Sequence, residues 1–226
     1  VVIDYSDFHN DIQTGDTIVL DDGGLSLTVD DVVGYDVICI ADQRGVIRSA
    51  QGVHLPDSRS VKVFPSDRDL ELLKFATSIE LDFIGLSFVE TADQVGNVRK
   101  LIGGQKPEII AKIETRQAVD NLSSIIKASD ALMIDRGDLS VATGLETIGL
   151  LQKHVLAEAT QAAKPVIVAT EILQSMINNP FPTKAEVSDI TNSVLDGATA
   201  LMLSGETAIG DYPVEAVTIM RRVADA

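Results

Sequence analysis

Positive charge is scarce in this chain: 18 lysines and arginines stand against 34 aspartates and glutamates, a formal charge of −16. A field of that sign repels phosphates, which argues against nucleic acid or anionic membrane as a general partner. Any anionic substrate would need locally placed lysines, arginines or a divalent metal. Cysteine is nearly absent too. The single Cys39 excludes an intrachain disulfide, and His9, His54 and His154 lie too far apart in sequence for metal-ligand spacing. Both facts fit a reducing cytoplasm. No apolar run approaches the roughly 20 residues of a membrane span, and no basic-then-apolar signal peptide opens the chain. A cytoplasmic protein is expected.

What is present is enough to build a core. Of 226 residues, 45 % are hydrophobic, with no low-complexity tract, so one or two globular domains are expected. Residues 1–66 read as short β-type runs with turn chemistry between them. "DTIVLDDGGLSLTV" places two strands around Asp21-Asp22-Gly23-Gly24, and "DVICIA" and "GVIRSAQGVHL" continue the pattern, with His54 in a turn. This stretch is expected to be a small all-β module, begun at Val1 in mid-strand.

Residues 67–226 alternate strand and helix: "DRDLELLKFATSIE" helical, "LDFIGLSF" strand, "TADQVGNVRKLIG" helix, "EIIAKIE" strand, "RQAVDNLSSIIKA" helix. Then come "ALMID", the helix "GLLQKHVLAEATQAA", the strand "VIVAT", the helical "TKAEVSDITNSVLDG", "ALMLS", and a last helix from about Pro213. Such a series implies a parallel sheet with helical crossovers, either open and doubly wound or closed as an eight-stranded barrel. Polar residues end every strand: Ser87, Lys112 with Glu114, Asp135 to Asp138, Thr170-Glu171 and Ser204 to Thr207. Convergence of strand ends on one site favours the barrel, with three strands unaccounted for.

Lys112 and Glu114 are two apart in an apolar strand, so they share one face of it. Glu114 and Asp138 would offer two carboxylates for Mg²⁺, with Lys112 adding positive charge beside them. That set suits chemistry in which charge builds on phosphoryl or enolate oxygens. Plainer readings stand beside this one. Lys112 and Glu114 could form an ion pair on a barrel rim, Asp138 could cap the next helix, and Ser204 and Thr207 could be helix caps or proton relays. The Gly turn in "RGDLS" suits a carboxylate or phosphate on backbone N–H groups.

The segments "IIAKIET", "ASDALMIDRGDLS" and "KPVIVATEILQSMINNPFPTKAEVSDITNSVLDGATALMLSGETAIGDYPVEAV", with "GDTIVLDDGGLSL" and "GVHLP" before them, resemble the pyruvate kinase family in order and spacing. The resemblance implies an α/β, TIM-type (β/α)8 barrel, incomplete in this chain, with the end of a lid (B) domain over 1–66 and barrel strands four to eight over 67–226. The first three strands would lie upstream of Val1, a regulatory domain would follow the last helix, and the chain would be a segment of a longer enzyme. The implied activity is phosphoryl transfer from phosphoenolpyruvate to ADP, giving pyruvate and ATP, in a cytoplasmic homo-oligomer.

By the same resemblance Lys112 stabilises the transferring phosphoryl group and the enolate, and Glu114 and Asp138 hold Mg²⁺ or Mn²⁺. The backbone of Arg136, Gly137 and Asp138 cradles the substrate carboxylate, Thr170 lies beside the enolate carbon, and Ser204 is associated with proton delivery. K⁺ is implied as well, on ligands this chain does not contain. Three positions depart from the family pattern: Asp135 replaces a small residue, Gln51 a lysine and Glu90 an arginine. Each removes or opposes positive charge near anionic ligands. Two other readings follow from such departures: a nucleotide-independent, metal-dependent enolate lyase or aldolase, and a non-catalytic assembly module.

Overall fold

The computed structural model describes residues 1–5, 7–20, 24–49, 51–55, 64–104 and 106–226. They form two compact units, Val1–Val63 and Phe64–Ala226.

In the first unit β1 (Thr17–Leu20), β2 (Leu25–Val33), β3 (Asp36–Ala41) and β4 (Val53–His54) make an antiparallel sheet in the order β3-β2-β1-β4. Residues 1–5 are irregular, where a strand was expected to run in from Val1. Leu20 pairs with Leu25, so β1 and β2 are the two arms of the expected hairpin. Of its turn, Asp21, Asp22 and Gly23 lie outside the described residues. Period-two alternation places Ile18 and Leu20 on the buried face with Leu25 and Val29, closed by Ile12. The strand expected over residues 45–55 forms only at its end, where Val53 and His54 pair with Leu20 and Val19. Val46 and Ile47, between Gly45 and Gly52, are exposed in irregular backbone; glycines weaken strand pairing. His54 therefore sits in a strand, not in the turn expected for it.

The second unit has five parallel strands in sequential order: β5 (Phe83–Leu86), β6 (Glu108–Ile113), β7 (Ala131–Asp135), β8 (Val166–Ala169) and β9 (Ala200–Met202). Around them run α1 (Asp67–Ser78), α2 (Ala92–Ile102), α3 (Arg116–Asp120), α4 (Leu122–Ala128), α5 (Arg136–Thr143), α6 (Ile148–Gln161), α7 (Lys184–Leu195), α8 (Gly205–Ala208) and α9 (Pro213–Ala224). Reciprocal capping boxes start α1 at Ser66 with Asp69, α2 at Thr91 with Gln94, and α7 at Thr183 with Glu186. The single helix expected over 116–128 is two helices divided at Asn121, whose side-chain amide donates to the Glu90 carbonyl at 2.8 Å. A side chain committed to distant backbone is one way an Asn interrupts a helix.

Alternate strand residues build the core. Ile109, Ala111 and Ile113 of β6, Leu132 and Ile134 of β7, and Val166 and Val168 of β8 pack against Val95 and Val98 of α2, Ile125 and Ile126 of α4, and Val155, Leu156 and Ala159 of α6. A sheet whose strands follow chain order is singly wound; an open doubly wound sheet reverses its order at a switch point. The opposite face of β6 and β7 carries Ile110, Ala131 and Met133, with Lys112, Asp135 and, one residue past β6, Glu114 towards its carboxyl end.

Candidate active site

The site begins with that alternation. Ile109, Ala111 and Ile113 are each 0 % exposed on the helix-covered face, so Lys112 and Glu114 must point the other way. Lys112 pairs in register with Met133 and Ile113 with Ile134. One step further along both strands, Glu114 lies level with Asp135. The Lys112 ammonium is ion-paired with Glu114, lies 3.0 Å from Asp135 Oδ2, and donates to Ser87 Oγ at the end of β5 over 3.2 Å. Burial disfavours its charged form, but the hydrogen bonds and charges of Glu114 and Asp135 outweigh that and raise its pKa.

Glu114 is 1 % exposed. Its Oε2 accepts the Phe88 backbone N–H, and its Oε1 meets the Lys112 ammonium in an ion pair. Desolvation lifts the Glu114 carboxyl to about 7, with Asp138 adding to the rise and Lys112 and the Phe88 N–H opposing it. Carboxylate oxygens of Glu114, Asp135 and Asp138 all lie within 4.8 Å of one another. Three carboxylates grouped so closely form an all-oxygen donor set, which fits a hard divalent cation such as Mg²⁺ or Mn²⁺.

Asp138 lies in the first turn of α5 and Asp135 at the helix's N-cap position. The Asp135 side chain makes no cap hydrogen bond, and Asp138 stands within the first turn, not at the cap position. Arg136 is buried and its side chain turns backwards. Nε and Nη2 donate to the Thr170 carbonyl at 3.0 and 2.7 Å, and Nη1 meets Asp189 of α7 at 2.7 Å. Thr170, at the end of β8, has φ +67°, unusual for a β-branched residue and worth roughly 1–3 kcal/mol of strain. The two guanidinium bonds hold its carbonyl in that conformation. Its hydroxyl donates to Ala169 O at 2.7 Å and accepts the Gly137 N–H at 3.0 Å.

Ser204 belongs to a different part of the sheet, following β9, two strands away from β7. It stands at the N-cap position of α8 without a side-chain cap bond, and Thr207 Oγ1 donates to its carbonyl at 3.3 Å, so neither hydroxyl caps the helix. Glu206, 0 % exposed, accepts the backbone N–H of Ser204 at 2.8 Å and of Leu173 at 2.9 Å. It ties the loop after β8 to the end of β9. Bracing by Glu206 and Asp189 is not foreseen from the sequence, where the only signals are an acid in a strand-end loop and another within a helix. Of the departures, the Glu90 backbone is held by two side chains, its N–H donating to Gln94 Oε1 at 2.7 Å and its carbonyl accepting from Asn121 Nδ2 at 2.8 Å, and Gln51 Oε1 accepts the Arg48 N–H at 2.6 Å.

The family model for the barrel domain of pyruvate kinase matches residues 1–217. Curated relatives named pyruvate kinase include those of Clostridium acetobutylicum, 40 % identical over 98 % of this chain and 48 % of the relative, and Mycobacterium tuberculosis, 44 % identical over 97 % and 47 %. That of Thermotoga maritima is 40 % identical over 99 % of this chain and 48 % of its own length. The chain thus spans about half the length of the curated relatives it matches. With a singly wound α/β sheet, a lysine among three carboxylates at its carboxyl ends, and a family match over nearly all of its residues, the chain belongs to the pyruvate kinase family.

Proposed function

We propose that the protein carries part of the catalytic barrel of a pyruvate kinase, transferring the phosphoryl group of phosphoenolpyruvate to ADP to give pyruvate and ATP in cytoplasmic glycolysis. The observation that carries this reading is Lys112, set by register among Glu114, Asp135 and Ser87 at the ends of three adjacent strands. Residues 1–66 belong to the lid domain in this reading, and 67–226 to an eight-stranded barrel in a homo-oligomer.

Phosphoryl transfer needs positioning and charge neutralisation more than covalent help. Lys112 supplies a fixed positive charge for the phosphoryl and enolate oxygens. Glu114 and Asp138 hold Mg²⁺ or Mn²⁺, which when bound neutralises charge on those oxygens. A K⁺ ion is part of the same reading, with its ligands elsewhere. The Gly137 N–H, given to Thr170 Oγ1 here, is the donor that a substrate carboxylate takes over. That exchange frees the Thr170 hydroxyl to stand beside the enolate carbon. Arg136 acts through its side chain as a brace on Thr170 and through its backbone, with Gly137 and Asp138, as the carboxylate cradle; Ser204 is the outer group for proton delivery.

The test is a Mg²⁺-dependent assay of pyruvate formation from phosphoenolpyruvate and ADP with the intact protein. Lys112→Ala and Glu114→Ala should each abolish turnover. Activity surviving both changes defeats the assignment, and turnover without ADP would move it to an enolate lyase.

A further inference from the structure

Asp135 is the carboxylate for which the roles of Lys112, Glu114 and Asp138 leave no assignment. It is buried, at 8 % exposure, although aspartate is seldom enclosed without a partner or a ligand. The ordinary occupation of an aspartate at a helix N-cap is to accept N–H groups of the first turn, and Asp135 does not do so. Its side chain turns instead to the Lys112 ammonium at 3.0 Å, from the strand position level with Glu114. Two carboxylates level on adjacent strands repel one another, and the geometry keeps them together with Asp138 inside 4.8 Å. The single Lys112 ammonium is shared between Glu114 and Asp135.

We propose that Asp135 sets the ion preference of this site: it is a third carboxylate drawing in the divalent cation, and by pairing with Lys112 it takes positive charge away from an anionic substrate. The charge count gives the direction. Losing the Asp135 carboxylate makes the surroundings of both the cation and Lys112 more positive by one unit. The cation is therefore bound more tightly with Asp135 present, and a phosphorylated carboxylic acid less tightly. The effect on the substrate rests on the phosphoryl-transfer reading above; the effect on the cation does not.

Two variants of the intact protein test this. Asp135→Asn keeps the shape and removes the charge, and Asp135→Ala removes both. Mn²⁺ is titrated into each without nucleotide or substrate, and the free-ion signal is followed by electron paramagnetic resonance. The dissociation constant should rise on the order of tenfold in both variants, the lower end for losing a group that supports a metal site. At saturating Mn²⁺ the KM for phosphoenolpyruvate should fall severalfold in both, because Lys112 is released. Unchanged Mn²⁺ affinity in both variants overturns the proposal, as does weakened Mn²⁺ binding with no fall in KM. A wild-type protein that binds Mn²⁺ but never turns over phosphoenolpyruvate counts against the kinase reading, and the Mn²⁺ titration then decides the role of Asp135.

Discussion

Glu206→Gln is nearly isosteric, yet the structure predicts a large loss of stability. Glu206 is 0 % exposed, and its two oxygens accept two backbone donors, Leu173 N–H at 2.9 Å and Ser204 N–H at 2.8 Å. A glutamine keeps one acceptor and turns an amide NH₂ towards the second N–H. One hydrogen bond to a charged group is lost, worth about 1.5–3 kcal/mol, and a buried N–H is left unmet at about 1–3 kcal/mol. The neutral amide is cheaper to bury than the carboxylate, so the net cost is about 3 kcal/mol.

In urea, where the denaturant slope of small proteins is about 1–3 kcal/mol/M, that cost lowers the unfolding midpoint by roughly 1–3 M with the slope unchanged. In a thermal melt it lowers Tm by roughly 6–12 °C for a domain of this size. The same substitution at Glu215, exposed in the first turn of α9, should move stability by a few tenths of a kcal/mol. Because Glu206 fixes the Ser204 backbone, kcat should also fall in the Glu206→Gln variant more than KM rises. A Glu206→Gln protein within about 0.5 kcal/mol of wild type would refute the reasoning, since a carboxylate accepting two buried N–H groups cannot be replaced at so small a cost.

Thr170→Val keeps the branched shape but leaves the Gly137 N–H without its acceptor, so stability should fall by about 1–3 kcal/mol in urea unfolding. If its hydroxyl serves the proton step, turnover should fall on the order of a hundredfold while Mn²⁺ binding stays as in wild type; equal losses in both would make Thr170 a packing residue only. Asp130, just after α4, tests electrostatics away from the site. Burial pushes its carboxyl up, but the Ile109 N–H, Arg99 and Lys164 outweigh this and hold it below the usual carboxylate range. A depressed acid contributes stability that is present above its unfolded pKa, near 3.9, and lost as pH falls through the folded value. Asp130→Asn should therefore lower the urea midpoint at pH 7 and by progressively less as pH drops below about 4; a difference independent of pH would show that the charge is irrelevant.

The parts of the fold legible in the sequence are those that depend on local period. Ile109, Ala111 and Ile113 alternate with Ile110 and Lys112, so a strand, its buried face and the shared face of Lys112 and Glu114 all follow from one pattern. Helix starts follow in the same way from Ser66, Thr91 and Thr183. What stays hidden depends on partners distant in the chain. Nothing near Asn121 shows that its amide will reach the Glu90 carbonyl and divide a helix, and nothing near Arg136 shows that its guanidinium will brace Thr170 and Asp189. Val46 and Ile47 have the composition of a strand but find no strand to pair with among the described residues. β-propensity states what fits a pleated surface, and it cannot supply the neighbour.

The opposite case is the pair of charges at the end of β6, where a local pattern raises a question that only register answers. Charged residues near the end of a buried strand are tolerable if water or partners reach them, and Glu114 is sealed from water. Parallel pairing brings Asp135 level with it, which by itself makes matters worse by adding a like charge. Lys112 relieves the conflict only in part, because one ammonium serves two carboxylates. Two enclosed carboxylates sharing one ammonium are unfavourable for the fold alone and favourable for a site that completes itself with a cation. The arrangement is therefore better understood as a site held ready than as an ion pair that stabilises the sheet, since replacing a buried ion pair with apolar residues is often neutral or stabilising.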